Sequence, residues 1–467
     1  MDDFKKRMVL LGGLLGLVIV LIIGYQIFQR SRTGAVDCSS SPVKRVELSW
    51  WGHLGEDQAQ AFINAYTSRR PYVTITYRKL SETDSDQQLI EAWARGTGPD
   101  IYSVKNEQLR YFTASGLVTP MPATTTSYTY TVKKVWGIKE ELSVCKQTKP
   151  LPTLESLKST FVAGAVEDMA KNGQIVGYPL NFDSVAMFYN QKMLDDAGIL
   201  TPPRTWVDFA EKVVPKLTLE DASGNLTRSG AAMGRGTNVL RNPEIVAGLL
   251  QQYNVPLTDA TGTQVAFGSG TNAQAVLTLA ASFGMPTKRN YSWNATFPES
   301  LEALAQGKAA VAFGTREDYQ KVVNQTTGTD IRVAPFPQAA ANGTTYVANY
   351  WLETVARAAK DPNVAWDFLR TIADPTQAKI ITDTDTPAAR TLVQTARGTE
   401  EENLSIAQVF ARQAATAKPW YTGVNATKGR EALNTLIDTI GDQKEPIAQA
   451  IERAQALFQI SLRIPGR

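Results

Sequence analysis

Residues 46–104 switch between two periodicities, and the order of that switching limits the folds open to the chain more than any other feature. VELSWW, from Val46, alternates as a strand does and stops at Gly52. From about Glu56 to Thr67, Ala59, Phe62, Ile63 and Tyr66 recur at helical spacing, and YVTITYRKL then returns to period two. A helix around Asp86 to Arg95, a GTGPD turn and the short strand IYSV complete the run. Strand, helix, strand, helix, strand calls for parallel pairing with right-handed crossovers, so an α/β domain is predicted. Ligands of open α/β sheets gather at the carboxyl ends of strands, where this order places Trp51 and the segment after Asp100.

The stretch from Tyr178 to Trp206 carries a second set of signals. VAMFY (Val185–Tyr189) reads as a buried strand, Asn190 caps a helix from Gln191, and Gly198 ends it in the left-handed region. Pro202 and Pro203 forbid helix until Thr205, which caps the next one with Asp208 in the third position; that helix puts Trp206, Phe209, Val213 and Leu217 on one face. A helix is predicted over Thr153–Lys171, and strands in AVAFG, IRVA and YVANYWLETVA. Asp361 and Pro362 start another helix, and the C-terminal third is helical, with Ile447, Ile451, Ala454, Leu457 and Phe458 on one face. Pro120–Lys149, rich in Thr, Tyr and Pro, is expected to be an irregular excursion.

With 467 residues, 43% of them hydrophobic, the chain is long enough for two domains with real cores. Met8–Phe28 holds no charge over 21 residues, about the ~20 that span a bilayer as a helix. Lys5, Lys6 and Arg7 before it outweigh Arg30 and Arg32 after it, which puts the bulk of the chain outside the cytoplasm on a polar tether, Arg30–Pro42. Asp37 before Cys38 argues against a lipidated cysteine, so the helix is expected to stay as an anchor. Outside the cell Cys38 and Cys145 could pair, two free thiols being the alternative.

A net charge of +3 disfavours nucleic acid as a partner. One histidine, His53, and two distant cysteines leave no histidine-rich metal site and no cysteine–histidine nucleophile. GRGTNV lacks the third glycine of a dinucleotide loop, and there is no phosphate loop. No cofactor, metal or catalytic residue is therefore expected, although a pair of carboxylates for glycoside hydrolysis stays open among 45 acids.

The order of motifs resembles the extracellular solute-binding proteins of ABC importers, in particular the sugar-binding, maltose-binding-protein-like group. The pieces are SWWGHLGEDQAQAF, ARGTGPDIYSVKNEQLRYFTASGLVTPM, GYPLNFDSVAMFYNQKMLDDAGILTPPRTWVDF, LAQGKAAVAFGT, VAPFP and VAWDFLRTIAD, covering most of residues 44–420. The resemblance implies a two-lobed α/β fold of the type II periplasmic-binding-protein kind. Residues 44–180 with 347–376 would form lobe one and 181–346 with 377–467 lobe two, after a cytoplasmic 1–7, an anchor at 8–28 and a linker at 29–43. It further implies a monomer that traps a small solute, a carbohydrate, between its lobes and hands it to the permease subunits of an importer, without chemistry on the ligand.

Sugars offer apolar C–H faces and a rim of hydroxyls, so a site needs aromatic platforms and planar polar groups. By resemblance the ligand contacts fall at Asn106 and Glu107 after the third strand, Asp183 before the crossing strand, Arg316 after GKAAVAFG, Trp351 on the returning strand, and the late aromatics Trp420 and Tyr421. Trp51 joins them from its strand end. Asp183 as a hinge cap, Trp206 as packing, Asp100 as a turn anchor and His53 as a surface residue are the structural alternatives. Two other functions stay open: a surface glycan hydrolase using Glu107 and Asp183, and a ligand-sensing or adhesive ectodomain.

Overall fold

A computed structural model describes residues 36–39, 44–82, 84–135, 139–268, 270–326, 328–380 and 404–463. Met8–Phe28 lies outside the described residues, among which no helix is long and apolar enough to cross a membrane. The alternating run forms a four-stranded sheet in the order Trp351–Val355, Ile101–Lys105, Val46–Gly52, Val73–Lys79. Val46–Gly52 lies parallel to both neighbours, because helices Glu56–Thr67 and Ser85–Ala94 carry the chain back each time. Trp351–Val355 arrives from far along the chain and pairs antiparallel with Ile101–Lys105.

Trp50 fixes this lobe's core. It is wholly buried, edge-on to Tyr77 at 4.8 Å and Phe368 at 5.4 Å, and its Nε1 donates to Glu353 Oε2 at 2.6 Å. Asp100 holds the GTGPD turn to the first strand, accepting from Ser49 N at 2.8 Å and Ser49 Oγ at 2.9 Å.

The second lobe has a three-stranded sheet in which Ala186–Asn190 lies between Val311–Gly314 and Ile331–Ala334, antiparallel to both. Every residue of that central strand is buried, which explains its unbroken apolar run. Asn190 Oδ1 accepts from Met193 N at 3.1 Å, Gly198 takes φ 68°, and Thr205 Oγ1 accepts from Asp208 N at 3.1 Å, as the sequence predicts. The following helix loosens into a π turn at Phe209–Val213, just before Pro215 removes an N–H from the ladder. Trp206, Phe209, Val213 and Leu217 are buried all the same, Trp206 lying 5.0 Å from Phe336. Helix Ala426–Gly441 packs against Ile447–Ser461 and against Asn242–Gln252 and Thr271–Ser282.

Three expectations are corrected. YVANYWLETVA is two strands: Tyr346–Ala348 pairs with Ala417–Pro419, while Trp351–Val355 joins the first lobe's sheet. The helix predicted over Thr153–Lys171 breaks where Phe161 and Val162 extend to bury their side chains, leaving Leu154–Thr160 and Ala163–Met169. It ends in a small hairpin, Ala170–Lys171 with Gln174–Ile175, around Asn172 and Gly173, both at positive φ.

Pro120–Lys149 is not irregular but holds most of a long hairpin of Thr124–Val135 with Lys139–Pro150, in keeping with its β-branched and aromatic residues. Tyr72 docks it, its ring 5.4 Å from that of Tyr128 and its hydroxyl accepting from Tyr128 N at 3.1 Å. Val36–Ser39 adds a third strand in a register that sets Cys38 opposite Cys145, and Cys145 is disulfide-bonded.

Candidate functional site

Among the described residues two segments run side by side between the lobes, bridged at Tyr178 with Glu353 on one side and at Ser184 with Ala348 on the other. Beyond these crossings a cavity of about 1090 Å³ lies between the lobes. Lobe one lines it with Glu82, Asp86, Lys105, Glu107 and Trp351, and lobe two with Arg241, Glu302, Asp318, Lys321 and Arg430.

The lining is ordered by charge. Arg241, next to the N-terminus of helix Asn242–Gln252, grips Asp318 with Nε at 2.6 Å and Nη2 at 2.8 Å, and lies 3.6 Å from Glu244. Although burial opposes it, Arg241 holds the Asp318 carboxyl, and Arg430 with Arg241 the Glu244 carboxyl, below the usual range. Arg430 binds Glu244 at 2.6 and 3.0 Å and Glu107 at 2.6 and 3.2 Å, and its guanidinium lies 4.9 Å over the Trp420 ring. Trp420 Nε1 also donates to Glu107. Asp86 has no hydrogen-bond or ion-pair partner among the described residues, and burial with the nearby Glu107 charge pushes its carboxyl up to about 6.

Of the residues expected to contact ligand, Glu107 and Trp351 line the cavity. Trp351 is stacked by His53, ring centroids 3.4 Å apart and 17° between planes, and Lys105 Nζ lies 4.9 Å from its centroid. His53 is thus no surface histidine; burial, then the Lys105 charge, depresses it to about 3 and keeps it neutral.

The other six do not reach the lining. Trp51 lies on the opposite strand face from Trp50, under the Arg78 guanidinium at 4.3 Å. Asn106 ties the hinge, its Nδ2 donating to Asp168 Oδ2 at 3.2 Å and its N to Tyr350 O at 3.0 Å. Asp183 accepts from Arg316 N at 3.0 Å and Ser184 N at 2.7 Å, capping helix Arg316–Gln325. Burial pushes its carboxyl up to about 7 against those donors. Arg316 is buried in that helix's first turn. Trp420 is buried behind Arg430, and Tyr421 donates its hydroxyl to Ser461 O at 2.8 Å. Glu107 therefore lines the cavity and Asp183 does not.

Sequence reasoning missed Glu82, Asp86, Arg241, Lys321 and Arg430. One signal was available: NPEIVAGLL carries a single acid inside a helix buried from Asn242 to Leu250, and an acid in such a place needs a cation.

A profile of the bacterial extracellular solute-binding proteins matches residues 53–379. The chain belongs to that family. The family is one of binding proteins rather than enzymes, and it sets the folded part outside the cytoplasm. No curated protein matches this chain. Solved structures share the fold. A cyclo/maltodextrin-binding protein complexed with maltotetraose has a TM-score of 0.68 at 14% identity, over 91% of this chain and 100% of that one. An ABC substrate-binding protein of Listeria monocytogenes in complex with cycloalternan has a TM-score of 0.66 at 14% identity, over 89% of this chain and 99% of that one. A solute-binding protein of Thermotoga lettingae bound with α-D-tagatose has a TM-score of 0.64 at 16% identity, over 90% of this chain and 100% of that one.

Proposed function

We propose that this chain captures a carbohydrate in the cavity between its lobes and delivers it to the permease of an ABC importer. The observation that carries this is the interlobe cavity itself, which has polar groups on both walls and Trp351 among its lining. Bound solute touching both walls stabilises the closed arrangement, and closure is the signal the importer reads. The similar proteins named above hold an oligosaccharide or a monosaccharide, which supports a sugar as ligand.

In this reading residues 44–180 with 347–376 form one lobe and 181–346 with 377–467 the other. Met8–Phe28 is a retained anchor that keeps a monomer at the cell surface, and a Cys38–Cys145 bridge ties the end of the tether to the long hairpin.

The test is calorimetric titration of the full chain in detergent with maltotetraose, cycloalternan, mannobiose and tagatose. Saturable binding of one of them, lost in Trp351→Ala, is expected, with a ligand at 100 times its Kd raising stability by about 2.7 kcal/mol. Binding that survives Trp351→Ala unchanged would put the site elsewhere, and no binding across the panel would contradict the carbohydrate assignment.

A further inference from the structure

Glu82 stands between strand Val73–Lys79 and helix Ser85–Ala94, on lobe one's wall of the cavity. Lys105 of the same lobe forms an ion pair with it. Two more cations reach it from the other lobe: Lys321 Nζ at 2.5 Å, from helix Arg316–Gln325, and Arg241 Nη2 at 3.7 Å. One lysine suffices to neutralise one carboxylate, so the partners from across the cavity serve something other than lobe one's own folding. Glu82 is only 20% exposed and Arg241 6%, so this attraction is screened less than that of a surface pair. Two further contacts lie alongside. Arg430 of lobe two binds Glu107 of lobe one, and the Arg110 guanidinium of lobe one donates to Gly262 O at 3.1 Å and Thr422 O at 2.5 Å.

The geometry points to Glu82 as a positioning residue that draws the lobes together through the protein's own charges, so that closure depends on ionic strength even for an uncharged ligand. It rests on the cavity being the binding site, and it adds that part of the closing free energy is already present without ligand. The ligand then completes an equilibrium that Glu82 has biased, which raises apparent affinity by enlarging the competent fraction. Replacing Glu82 by an uncharged isostere removes the attraction, because Lys321 is left with Glu317 at 3.4 Å and Arg241 with Asp318, anions of their own lobe, and the Lys105 charge faces them from lobe one.

The test needs no ligand, so its failure is separable from failure of the carbohydrate assignment. Nitroxides are placed on the full chain at Gln87→Cys and Gln325→Cys, exposed positions on opposite sides of the cavity. The distance distribution is read by double electron–electron resonance at low salt and near 1 M salt, where the Debye length falls to about 3 Å. The expected result is a short population at low salt that moves to longer distances in Glu82→Gln, in Lys321→Met and at high salt. Lys192→Met, which breaks an exposed pair with Asp196, should change nothing. If Glu82→Gln fails to fold by circular dichroism, Lys321→Met decides alone, since that side chain is half exposed. Identical distributions in all variants and salts, or a long distance in the unmutated protein, would overturn the proposal.

Discussion

Two pairs of carboxylates buried around the cavity are kept by opposite means. Behind lobe one's wall, Glu353 accepts from Trp50 Nε1 at 2.6 Å and Ser103 Oγ at 2.7 Å, and Asp168 accepts from the Tyr350 hydroxyl at 2.8 Å and Asn106 Nδ2. These donors are neutral, burial prevails, and both carboxyls are pushed up, Glu353 to about 7. In lobe two, Glu244 and Asp318 are as deeply buried, but Arg241 and Arg430 lie against them and hold both carboxyls down. Asp367, on lobe one's far side, also has a guanidinium against it, Arg70 at 2.8 Å. The difference teaches that burial alone does not decide the state of an acid. A neutral hydrogen-bond donor lets it keep its proton, and a guanidinium takes that choice away.

The largest effect should come from Arg241→Met. It leaves Asp318 with the Thr315 donors and Lys321 at 3.9 Å, and Glu244 with Arg430, and removal of one partner of a buried pair costs about 3–5 kcal/mol, readable as a fall in the urea midpoint.

Glu353→Gln should behave differently, because only pH reveals it. The folded carboxyl keeps its proton up to about 7 while the unfolded one releases it near 4.5, so the folded state binds more protons in that window and stability falls as pH rises through it. The substitution should be almost neutral at pH 4 and relatively stabilising at pH 8 by roughly 3 kcal/mol, with the amide oxygen facing Trp50 and the amide nitrogen donating to Ser103. A pH-independent difference would break the contrast. Glu244 and Asp318 carry the opposite sign: their contribution is present above the unfolded carboxylate range and is lost as pH falls through it.

Tyr350→Phe sharpens the lobe-one side. It removes the neutral donor to Asp168 and should cost about 1–2 kcal/mol by chemical denaturation. No loss would mean that Lys171, at 3.9 Å, supports Asp168 instead. Smallest of all, Lys192→Ala breaks a pair at 2.9 Å whose side chains are 79% and 58% exposed, and the melting temperature should barely move, within about 0.5 kcal/mol.

The alternation from Val46 to Val104 and the caps at Asn190, Thr205 and Asp361 were legible because periodicity and capping are local properties of sequence. In the Thr124–Pro150 hairpin the alternating signal is confined to Tyr128, Tyr130 and Val132, set among Thr and Lys residues that carry no apolar face. The Asn172–Gly173 turn is legible as an Asn-Gly pair, which favours positive φ at both positions. The candidate site was mostly hidden. Aromatic content points to stacking platforms, yet Trp206, Trp293 and Trp420 are buried, and among the described tryptophans Trp351 alone lines the cavity. Glu82, Lys321 and Arg430 look like ordinary surface charges until the fold brings them together from 239 and 323 positions apart along the chain, at Glu82–Lys321 and Glu107–Arg430.

The most direct test of a two-walled binding site is amide hydrogen exchange of the full chain with and without saturating maltotetraose. Slowed exchange is predicted in both Glu82–Gln88 and Arg316–Gln325, one segment from each wall. Protection confined to one lobe, or binding heat with no protection in either segment, would contradict a ligand held between the lobes.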